Sequence, residues 1–438
     1  MGKTAENTLW AATAPPGPTT KVLEGELTAD VVIIGAGFTG LRAALELSTA
    51  GADVAVVDAG EIGAGASGRS GGQVNPALPF VSPDALRRRV GPVYSDRLID
   101  AATRSAYTVF DVIRRHNIPC DARQHGWVRA DHCARQADMS RQHAEAWRRR
   151  GAEMEIIGGD ALRQLTGTST YNSGIYTARG GAVQPLAFAR GLARAAQTHG
   201  ANLLCHTPIT RLTRNGGRWT VSARRGEIRC DCVILATNAY SGAYPGAVRT
   251  RLAKTVLPLV PIQVATEPLD PAVIEDILPS GATISDTRRV IMYARREPDN
   301  RIVFGSLGYQ RWDGSIAGHD WLIRDARRVF PQLRKAAWPY QWGGMIALTD
   351  DRLPHFHEPE PGLIAGLGYN GRGVAISQLM GIALAARASG VPADALPFPV
   401  TTIKPIPFRR IQGAGVAPAL WWMRQRDQRE MARRAPRG

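Results

Sequence analysis

Three glycine-rich segments of the chain share the spacing G-x-G-x-x-G, which can hold the phosphates of a dinucleotide. They are GAGFTG at 35–40, GAGASG at 63–68 and GLGYNG at 366–371. Where such a turn joins a strand to a helix, backbone N–H groups and the positive end of the helix dipole attract anions. Because the chain has 46 glycines, spacing alone identifies no site. The residues on either side of each segment must decide its chemistry.

The first segment has the complete context of a dinucleotide site. The apolar run ADVVII precedes it, LRAALELSTAGA follows with helical spacing, and the second apolar run DVAVVDA ends in an acid. Gly35 permits the tight turn, Gly37 lets the backbone approach a pyrophosphate, and Gly40 lets helix and strand pack closely. Asp58 can accept hydrogen bonds from ribose hydroxyls. The sequence therefore predicts a strand–helix–strand unit that binds the adenosine half of a dinucleotide.

The other two segments lack part of this context. GAGASG follows the second strand after a short loop, and no helical pattern comes after it. It is predicted to lie along the phosphates of the same cofactor, or else to be a plain surface loop. GLGYNG separates the short strand GLIA from the helix VAISQLMGIALAARA, with no acid-ending strand beyond. Its helix N-terminus could face the pyrimidine carbonyl of a flavin, or could simply begin a helix. Three loops around one cofactor is the simplest interpretation.

These segments, taken in order with GGAVQPLAFARGLARAAQTHGANL and CVILATNAY, resemble the D-amino-acid-oxidase-like family of FAD-dependent oxidoreductases. LWAATAPP and GASGRSGGQ resemble the branch that includes γ-glutamylputrescine oxidoreductases and L-pipecolate dehydrogenases. The resemblance implies FAD, and the absence of cysteine around WGGMIAL implies that the flavin is bound noncovalently. By this resemblance the cofactor-binding residues are Gly35, Gly37, Phe38, Thr39, Gly40, Asp58, Ala59, Ala66, Ser67, Gly68, Arg69, Gly71, Gly72, Gln73, Ile209, Thr237, Asn238, Gly368, Tyr369, Asn370, Gly371, Arg372, Gly373 and Val374.

The expected fold class is α/β, or α+β overall. Because the flavin segments lie at both ends and in the middle of the chain, the domain that binds FAD must be discontinuous. A discontinuous Rossmann-like FAD-binding domain is predicted from residues 1–84, 148–245 and 340–420. A second, sheet-containing substrate domain is predicted from 85–147 and 246–339, where strand-like runs such as RVIMYARRE occur. Residues 421–438 form a basic C-terminal tail.

The predicted reaction is oxidation of a C–N bond, with hydride passing to flavin N5 and an imine as product. The substrate is expected to be an amine or amino acid, such as a γ-glutamylated polyamine or L-pipecolate. Tyr293 and Arg295 alternate along one predicted strand and are the substrate-side candidates, because arginine can hold a carboxylate through two parallel hydrogen bonds. They could equally be outward-facing strand residues. Two alternatives stay open, a flavin monooxygenase using a nicotinamide cofactor and a non-catalytic flavin-binding protein.

Composition limits the partners. The formal net charge is +16, but the excess is scattered arginine without a nucleic-acid motif, so no nucleic-acid partner is expected. Five cysteines without paired spacing, and a start without a signal-peptide pattern, suggest a cytoplasmic protein, and no metal site is predicted. The arginine-rich tail with Trp421 and Trp422 is expected to permit peripheral contact with an anionic membrane, with oxygen or a quinone as electron acceptor. The resemblance to sarcosine oxidases implies a lysine that activates oxygen beside the flavin, and among the five lysines of this chain Lys254 is the candidate.

Overall fold

We analysed a computed structural model that describes residues 8–242, 251–409, 413 and 415–432. Its helices are α1 Leu9–Thr13, α2 Phe38–Thr49, α3 Pro83–Arg115, α4 Ala134–Arg148, α5 Gly159–Thr166, α6 Pro185–Thr198, α7 Pro271–Ile274, α8 His319–Val329, α9 Gly373–Ala388 and α10 Val416–Ala432. Its strands are β1 Gly25–Thr28, β2 Val31–Ile34, β3 Val54–Val57, β4 Gln73–Val74, β5 Trp127–Ala130, β6 Glu155–Gly158, β7 Ser173–Thr177, β8 Gly181–Ala182, β9 Asn202–Leu204, β10 Ile209–Asn215, β11 Arg218–Ala223, β12 Gly226–Cys230, β13 Cys232–Leu235, β14 Leu257–Ala265, β15 Thr283–Asp286, β16 Tyr293–Arg296, β17 Ile302–Gln310, β18 Ile316–Ala317, β19 Tyr340–Gly343, β20 Ile346–Leu348, β21 His355–Glu360 and β22 Leu363–Leu367.

A six-stranded sheet carries the predicted dinucleotide unit. Its order is β21-β22-β13-β2-β3-β9, parallel except for β21. Every residue of β2 and β3 is buried, as expected for apolar strands covered on both faces. Alternate residues enter different cores, since Val31 and Ile33 pack with helices α2, α3, α6 and α9, whereas Val32 and Ile34 pack against the four-stranded sheet β1-β12-β11-β10.

A second, mostly antiparallel sheet has its own hydrophobic core. Its main path is β19-β14-β17-β16-β15-β5-β7-β6, with β18 beside β17 and β20 beside β14. Helix α8 packs against β14 and β17, so Leu322 and Ala326 join strand residues such as Ile262 and Phe304 in that core. The sheet contains β16, which lies in the run RVIMYARRE that the sequence analysis places in the predicted substrate domain.

Sheet membership differs from the expected segments at three places. Strands β6 and β7 lie in the second sheet, although 148–245 was assigned to FAD binding. Strands β19 and β20 also join it, although they lie within 340–420. Conversely, α3 packs against α9 beside the six-stranded sheet, although it lies in 85–147. The pairing of strands distant in sequence decides these memberships, and local composition does not reveal it.

In the described part of the chain, no helix is both long and apolar enough to span a bilayer.

Candidate functional site

A cavity of about 1160 Å³ lies between the carboxyl ends of the parallel strands and the second sheet. Its volume exceeds the range of about 300–1,000 Å³ that is typical of small-molecule pockets. Among the residues predicted from the sequence, those that line it are Gly35, Gly37, Phe38, Thr39, Asp58, Ala59, Ala66, Ser67, Arg69, Gly71, Gly72, Gln73, Ile209, Thr237, Asn238, Tyr293, Tyr369, Asn370, Gly371, Arg372, Gly373 and Val374. Gly40, Gly68 and Gly368 lie next in sequence to lining residues, and Arg295 lies behind the wall, in contact with the lining residue Gly71.

The first glycine segment forms the turn between β2 and α2. Gly35 has φ +117° and lies so close to Ala236 that a Cβ atom would come within 2.9 Å of its carbonyl oxygen. A Cβ on Gly40 would come within 2.0 Å of the carbonyl oxygen of Gly35, so only glycine permits this approach of helix and strand. Asp58 follows β3 and accepts hydrogen bonds from the N–H groups of Ala36 (2.7 Å) and Gly60 (2.8 Å). Its burial raises the pKa of the carboxyl group.

The second segment lies against the first. The N–H of Gly63 donates to the carbonyl of Ala36 at 2.9 Å, and Ser67 Oγ accepts from the N–H of Phe38 at 3.0 Å. These hydrogen bonds hold residues 63–69 beside the N-terminus of α2, on the cavity wall. This placement is what one cofactor shared with the first segment would require, and the sharing itself stays a prediction.

The third segment is connected to the first by side chains. Tyr369 Oη and Thr39 Oγ1 are 2.6 Å apart, and the N–H of Gly368 donates to Asn238 Oδ1 at 3.0 Å. The helix α9 begins at this segment, and the side chain of its N-cap residue Arg372 makes no capping hydrogen bond. The N-terminus of α2 likewise receives no hydrogen bond from the side chain of its own capping residue. Two helix dipoles therefore present their positive ends to one cavity, which fits an anionic dinucleotide such as FAD.

Tyr293 faces the cavity from β16, between two glycines of different segments. A Cβ atom on Gly71 or on Gly305 would lie within 2.6 Å or 1.9 Å, respectively, of the Tyr293 ring. The Tyr293 hydroxyl accepts a hydrogen bond from Gln263 Nε2 at 2.7 Å. Desolvation raises the pKa of Tyr293 well above its usual value, so the phenol is neutral at physiological pH and its proton stays available for donation.

Arg295 cannot serve as the expected carboxylate clamp, because its guanidinium is already occupied. The residue is 1% exposed, and Nη1 donates to the carbonyls of Val183 (2.6 Å) and Gly71 (3.2 Å). Nη2 donates to Glu297 Oε2 at 2.9 Å, and the Trp10 ring lies 5.0 Å from the guanidinium carbon. Arg295 shares the strand face of Tyr293, but the 71–72 segment covers it. Its role is to hold the cavity wall.

Three polar residues line the cavity on the side of the second sheet, and the sequence analysis does not predict that role for any of them. Arg129 on β5 and His143 on α4 line the cavity together with Arg372, which the sequence assigned to flavin capping. The Nε atoms of both arginines are buried, and neither has a hydrogen-bond partner among the described residues. Desolvation, and then the neighbouring Arg129, lowers the pKa of Arg372 to about 9. The apolar strand WVRA, interrupted by one arginine, was the available signal.

The charges around this pair are only partly balanced. Desolvation lowers the pKa of Arg129, while nearby Asp131 raises it, and Asp131 also accepts a hydrogen bond from Ser173. Desolvation followed by the two arginines lowers the pKa of His143 to about 3, so its ring is neutral at physiological pH. Arg372 stacks on Trp127 with 4.5 Å between the guanidinium carbon and the ring centre, and forms no salt bridge with any described carboxylate. This corner of the cavity is therefore suited to an anion.

Lys254 does not reach the cavity. It ends a short 3-10 helix at Arg251–Lys254, its side chain is exposed, and it is not among the lining residues. The expectation that it activates oxygen beside the flavin is therefore wrong. Lys3, a further lysine, lies outside the described residues.

The comparisons with known proteins agree with the geometry. Residues 30–387 match the model of the DAO family, described as FAD dependent oxidoreductase. The chain is 31% identical to the probable oxidoreductase OrdL of Haemophilus influenzae over 81% of each chain. It is 29% identical to the γ-glutamylputrescine oxidoreductase of Escherichia coli, covering 92% of this chain and 96% of that one.

Solved structures show the same fold. Glycine oxidase from Geobacillus kaustophilus superposes with a TM-score of 0.70 at 20% identity, covering 86% of this chain and 99% of that one. L-amino acid deaminase from Proteus vulgaris gives a TM-score of 0.70 at 19% identity, covering 90% and 96%. With the matched family model, the relatives and the cavity together, the chain belongs to the DAO family of FAD-dependent oxidoreductases, which act on amines or amino acids.

Proposed function

We propose that this enzyme oxidises the C–N bond of an amine that also carries a carboxylate. The substrate classes in view are cyclic amino acids such as L-pipecolate and γ-glutamylated polyamines, both of which have that group. The observation that supports the proposal is the pair Arg129 and Arg372, half-buried on the cavity wall, whose Nε–H groups have no hydrogen-bond partner among the described residues. A guanidinium pair binds a carboxylate through short, charge-assisted hydrogen bonds. Burial strengthens that attraction because water no longer screens it.

The same positive charge favours the reactive form of the amine. An ammonium of pKa about 10 must lose its proton first, which costs about 4 kcal/mol at neutral pH. Desolvation and two nearby guanidinium groups lower the pKa of that ammonium. The neighbouring His143 and Tyr293 are both neutral at that pH, so neither opposes the loss of the proton. The bound flavin supplies the hydride acceptor, and the protein supplies position and electrostatics.

The cofactor residues in this proposal are those assigned above from the family resemblance. The glycine turn and Asp58 hold the adenosine half, residues 66–73 follow the pyrophosphate, and residues 368–374 cover the flavin ring. FAD is held noncovalently in this proposal, and none of the five cysteines lines the cavity. Acid denaturation should therefore release the flavin into the supernatant, and flavin retained in the precipitate would contradict the proposal.

The decisive experiment compares amines that differ only in the carboxylate. L-pipecolate should bleach the flavin under anaerobic conditions, whereas piperidine at the same concentration should do so far more slowly. Replacing Arg372 by Met should lower kcat/KM for the acid by about 10–150-fold, the equivalent of a hydrogen bond to a charged group, and should leave piperidine unaffected. γ-Glutamylputrescine, L-proline and D-alanine complete the panel. Equal effects on acid and amine would refute the carboxylate role of Arg372.

The second candidate is a flavin monooxygenase that uses a nicotinamide cofactor. Rapid reduction of the flavin by NADH or NADPH, with no amine reducing it, would favour that function. A flavin that neither amines nor nicotinamides reduce would favour the non-catalytic alternative.

For the electron acceptor we propose a quinone, with oxygen as the slower alternative. No described lysine lines the cavity, so the arrangement proposed above offers oxygen no ammonium group beside the flavin. Peripheral contact of the basic C-terminal segment with an anionic membrane would bring the enzyme to the quinone. Stopped-flow reoxidation of the reduced enzyme by a soluble quinone should be faster than by dissolved oxygen, and the opposite order would identify an oxidase.

A further inference from the structure

The C-terminal helix α10 lies beyond the 30–387 segment that matches the family, yet it forms part of the cavity wall. Val416, Ala419, Leu420 and Met423 line the cavity. Their spacing of three and four residues places them on one face of the helix. Leu420 is 8% exposed, whereas its neighbour Trp421 is 64% exposed on the other side. The helix also packs against β17, whose Leu307 lines the same cavity.

The same helical face changes from apolar to acidic further along. Arg289, which lies between β15 and β16, donates from Nη1 to Asp427 Oδ1 at 2.6 Å. It also binds both oxygens of Glu430, at 2.8 Å and 3.0 Å. The N–H of Val290 donates to Asp427 Oδ2 at 3.1 Å, and Asp427 is 2% exposed. These contacts attach the second half of α10 to the second sheet.

Two further contacts complete the attachment. His132 Nε2 lies 3.0 Å from Glu430 Oε2, and the Arg424 guanidinium carbon lies 3.8 Å from the ring centre of Trp321 on α8. His132, Cys133 and Glu430 are close enough together to hold a metal ion. Because the guanidinium of Arg289 occupies both oxygens of Glu430, it repels a cation at that point. The cluster is accordingly a structural anchor.

We infer that α10 is a specificity element, which selects amino acids with an apolar body over polyamine conjugates. The side chains of Val416, Ala419, Leu420 and Met423 offer no hydrogen bond to a second ammonium group. Burying that ammonium unpaired is costly, and the cavity already contains the positive charges of Arg129 and Arg372. Asp286, an acid that lines the cavity, is already paired with Arg288. Asp427 and Glu430, on the same helix as the apolar wall, are held by Arg289. This inference rests on the proposed function in taking the cavity as the substrate site.

The test measures binding of simple carboxylates to the FAD-loaded enzyme, so it needs no turnover. Acetate and phenylacetate are titrated against the flavin absorbance spectrum, and the ratio of their Kd values reports the preference for an apolar body. Leu420→Ala and Met423→Ala should each reduce that preference by about tenfold or more, as the loss of methylene contacts in an apolar pocket does. Trp421→Ala, a large-to-small change on the exposed face, should leave the ratio unchanged in lipid-free buffer.

A second variant separates the anchor from the wall. Asp427→Asn combined with Glu430→Gln keeps every lining side chain but removes the charges that attach α10. Amide hydrogen exchange across 416–432 should become faster and the preference for phenylacetate should fall, while FAD content stays the same. Phenylacetate should slow that exchange in the parent enzyme and have little effect on it in the double variant.

Some outcomes overturn the inference. An unchanged Kd ratio in both Leu420→Ala and Met423→Ala would do so, as would a parent enzyme that prefers acetate or binds neither acid. Reduction of the flavin by γ-glutamylputrescine at the rate of L-pipecolate would also contradict the selection of apolar bodies. If the ratio depends on α10 but no amine reduces the flavin, the proposed function fails while the inference about α10 stands.

Discussion

At the scale of single residues, the cavity wall at 69–72 is held by one hydrogen bond to each carbonyl. The donors to these carbonyls belong to separate parts of the chain: Trp342 to Arg69, Trp10 to Ser70, Arg295 to Gly71 and the N–H of Val183 to Gly72. Arg295 is thus a positioning residue, and its charge is balanced by Glu297. Glu297 also accepts from Arg123 Nη2 at 3.1 Å, so one carboxylate partly neutralises the buried Arg295 and the half-buried Arg123.

Glu297→Gln should destabilise the protein strongly. Removing the carboxylate leaves the buried charge of Arg295 without compensation, which costs about 3–5 kcal/mol in comparable buried pairs. Urea unfolding of the FAD-loaded protein measures the loss. The matched control is Glu153→Gln, which removes an exposed partner of Arg179 and should cost far less, because water screens an exposed ion pair. Similar losses in both variants would contradict a structural role for the buried network.

His143 should make stability depend on pH. Its pKa is about 3 in the folded protein because of desolvation and the neighbouring Arg129 and Arg372. In the unfolded state the pKa of the imidazole is about 6.5, so below that pH the unfolded protein binds a proton that the folded protein does not. The folded pKa is therefore the lower one, and stability should fall as pH decreases from the unfolded value toward the folded value.

The measurement is urea unfolding at two pH values, about 7 and about 5, on either side of the unfolded pKa. His143→Gln should lose less stability between them than the parent, because the uncharged amide takes up no proton on unfolding. His125→Gln, at an exposed position, is the control. A loss in His143→Gln equal to that of the parent would show that this histidine does not carry the penalty.

At the scale of elements, the dinucleotide unit depends on how closely α2 approaches β2. Besides the carbonyl of Gly35, a Cβ atom on Gly40 would meet Ile33 Cγ2 at 3.1 Å. Helix α2 also packs against α6 and α9, so it cannot move outward without disturbing both. The segments at 35–40 and 366–371 lead into α2 and α9, so the packing of these helices fixes the shape of the cavity at both segments.

Gly40→Ala should therefore weaken FAD binding as well as stability. Overpacking of this kind costs about 1–3 kcal/mol, and displacement of α2 turns its N-terminus away from the cofactor. Flavin retained after gel filtration, and the unfolding midpoint, are the two measurements. Gly158→Ala is the control, since a Cβ atom there has no neighbour within 4 Å. Full flavin content in Gly40→Ala would show that this approach is not required.

At the scale of the whole molecule, the charge of +16 is partly used within the fold. Arg424 stacks on Trp321 and Arg426 contacts Glu430, so these two are less free for a membrane than the sequence suggested. Arg429, Trp421 and Trp422 are exposed on α10. Arg433, Arg434 and Arg437 were also counted in the basic tail, and they lie outside the described residues. Truncation at Leu420 would remove Met423 and the anchor as well as the charge.

A change of charge alone tests membrane contact more cleanly. The parent should sediment with vesicles that contain anionic lipid at low salt and release at high salt, because each arginine contributes about 1 kcal/mol and salt screens it. Replacement of Arg429, Arg433, Arg434 and Arg437 by Gln should abolish sedimentation. The same number of replacements at the exposed Arg211, Arg214, Arg224 and Arg225 controls for net charge. Equal sedimentation of the parent, the C-terminal variant and the control variant would contradict the proposal of membrane contact.

The sequence alone predicted the dinucleotide unit, and the family resemblance of its segments implied that the dinucleotide is FAD. The strand, turn, helix and acid of residues 29–59 follow one another directly, so apolar periodicity and glycine spacing specify them locally. The same holds for GLGYNG, whose predicted flanking strand and helix are β22 and α9. The sequence also indicated that Tyr293 and Arg295 share a strand face, which the contacts of both with Gly71 confirm.

Only the tertiary structure decided which of those side chains reach the cavity. Alternation along a strand specifies which residues share a face, but not what lies across that face. Here the 71–72 segment covers Arg295, while Arg129, from a strand distant in sequence, reaches the cavity beside Arg372. The tail was likewise interpreted from its composition, and its folding back onto Arg289 depends on contacts more than a hundred residues apart. Such long-range pairing leaves no local pattern, because the free energy that favours it comes from burial and charge compensation in the assembled fold.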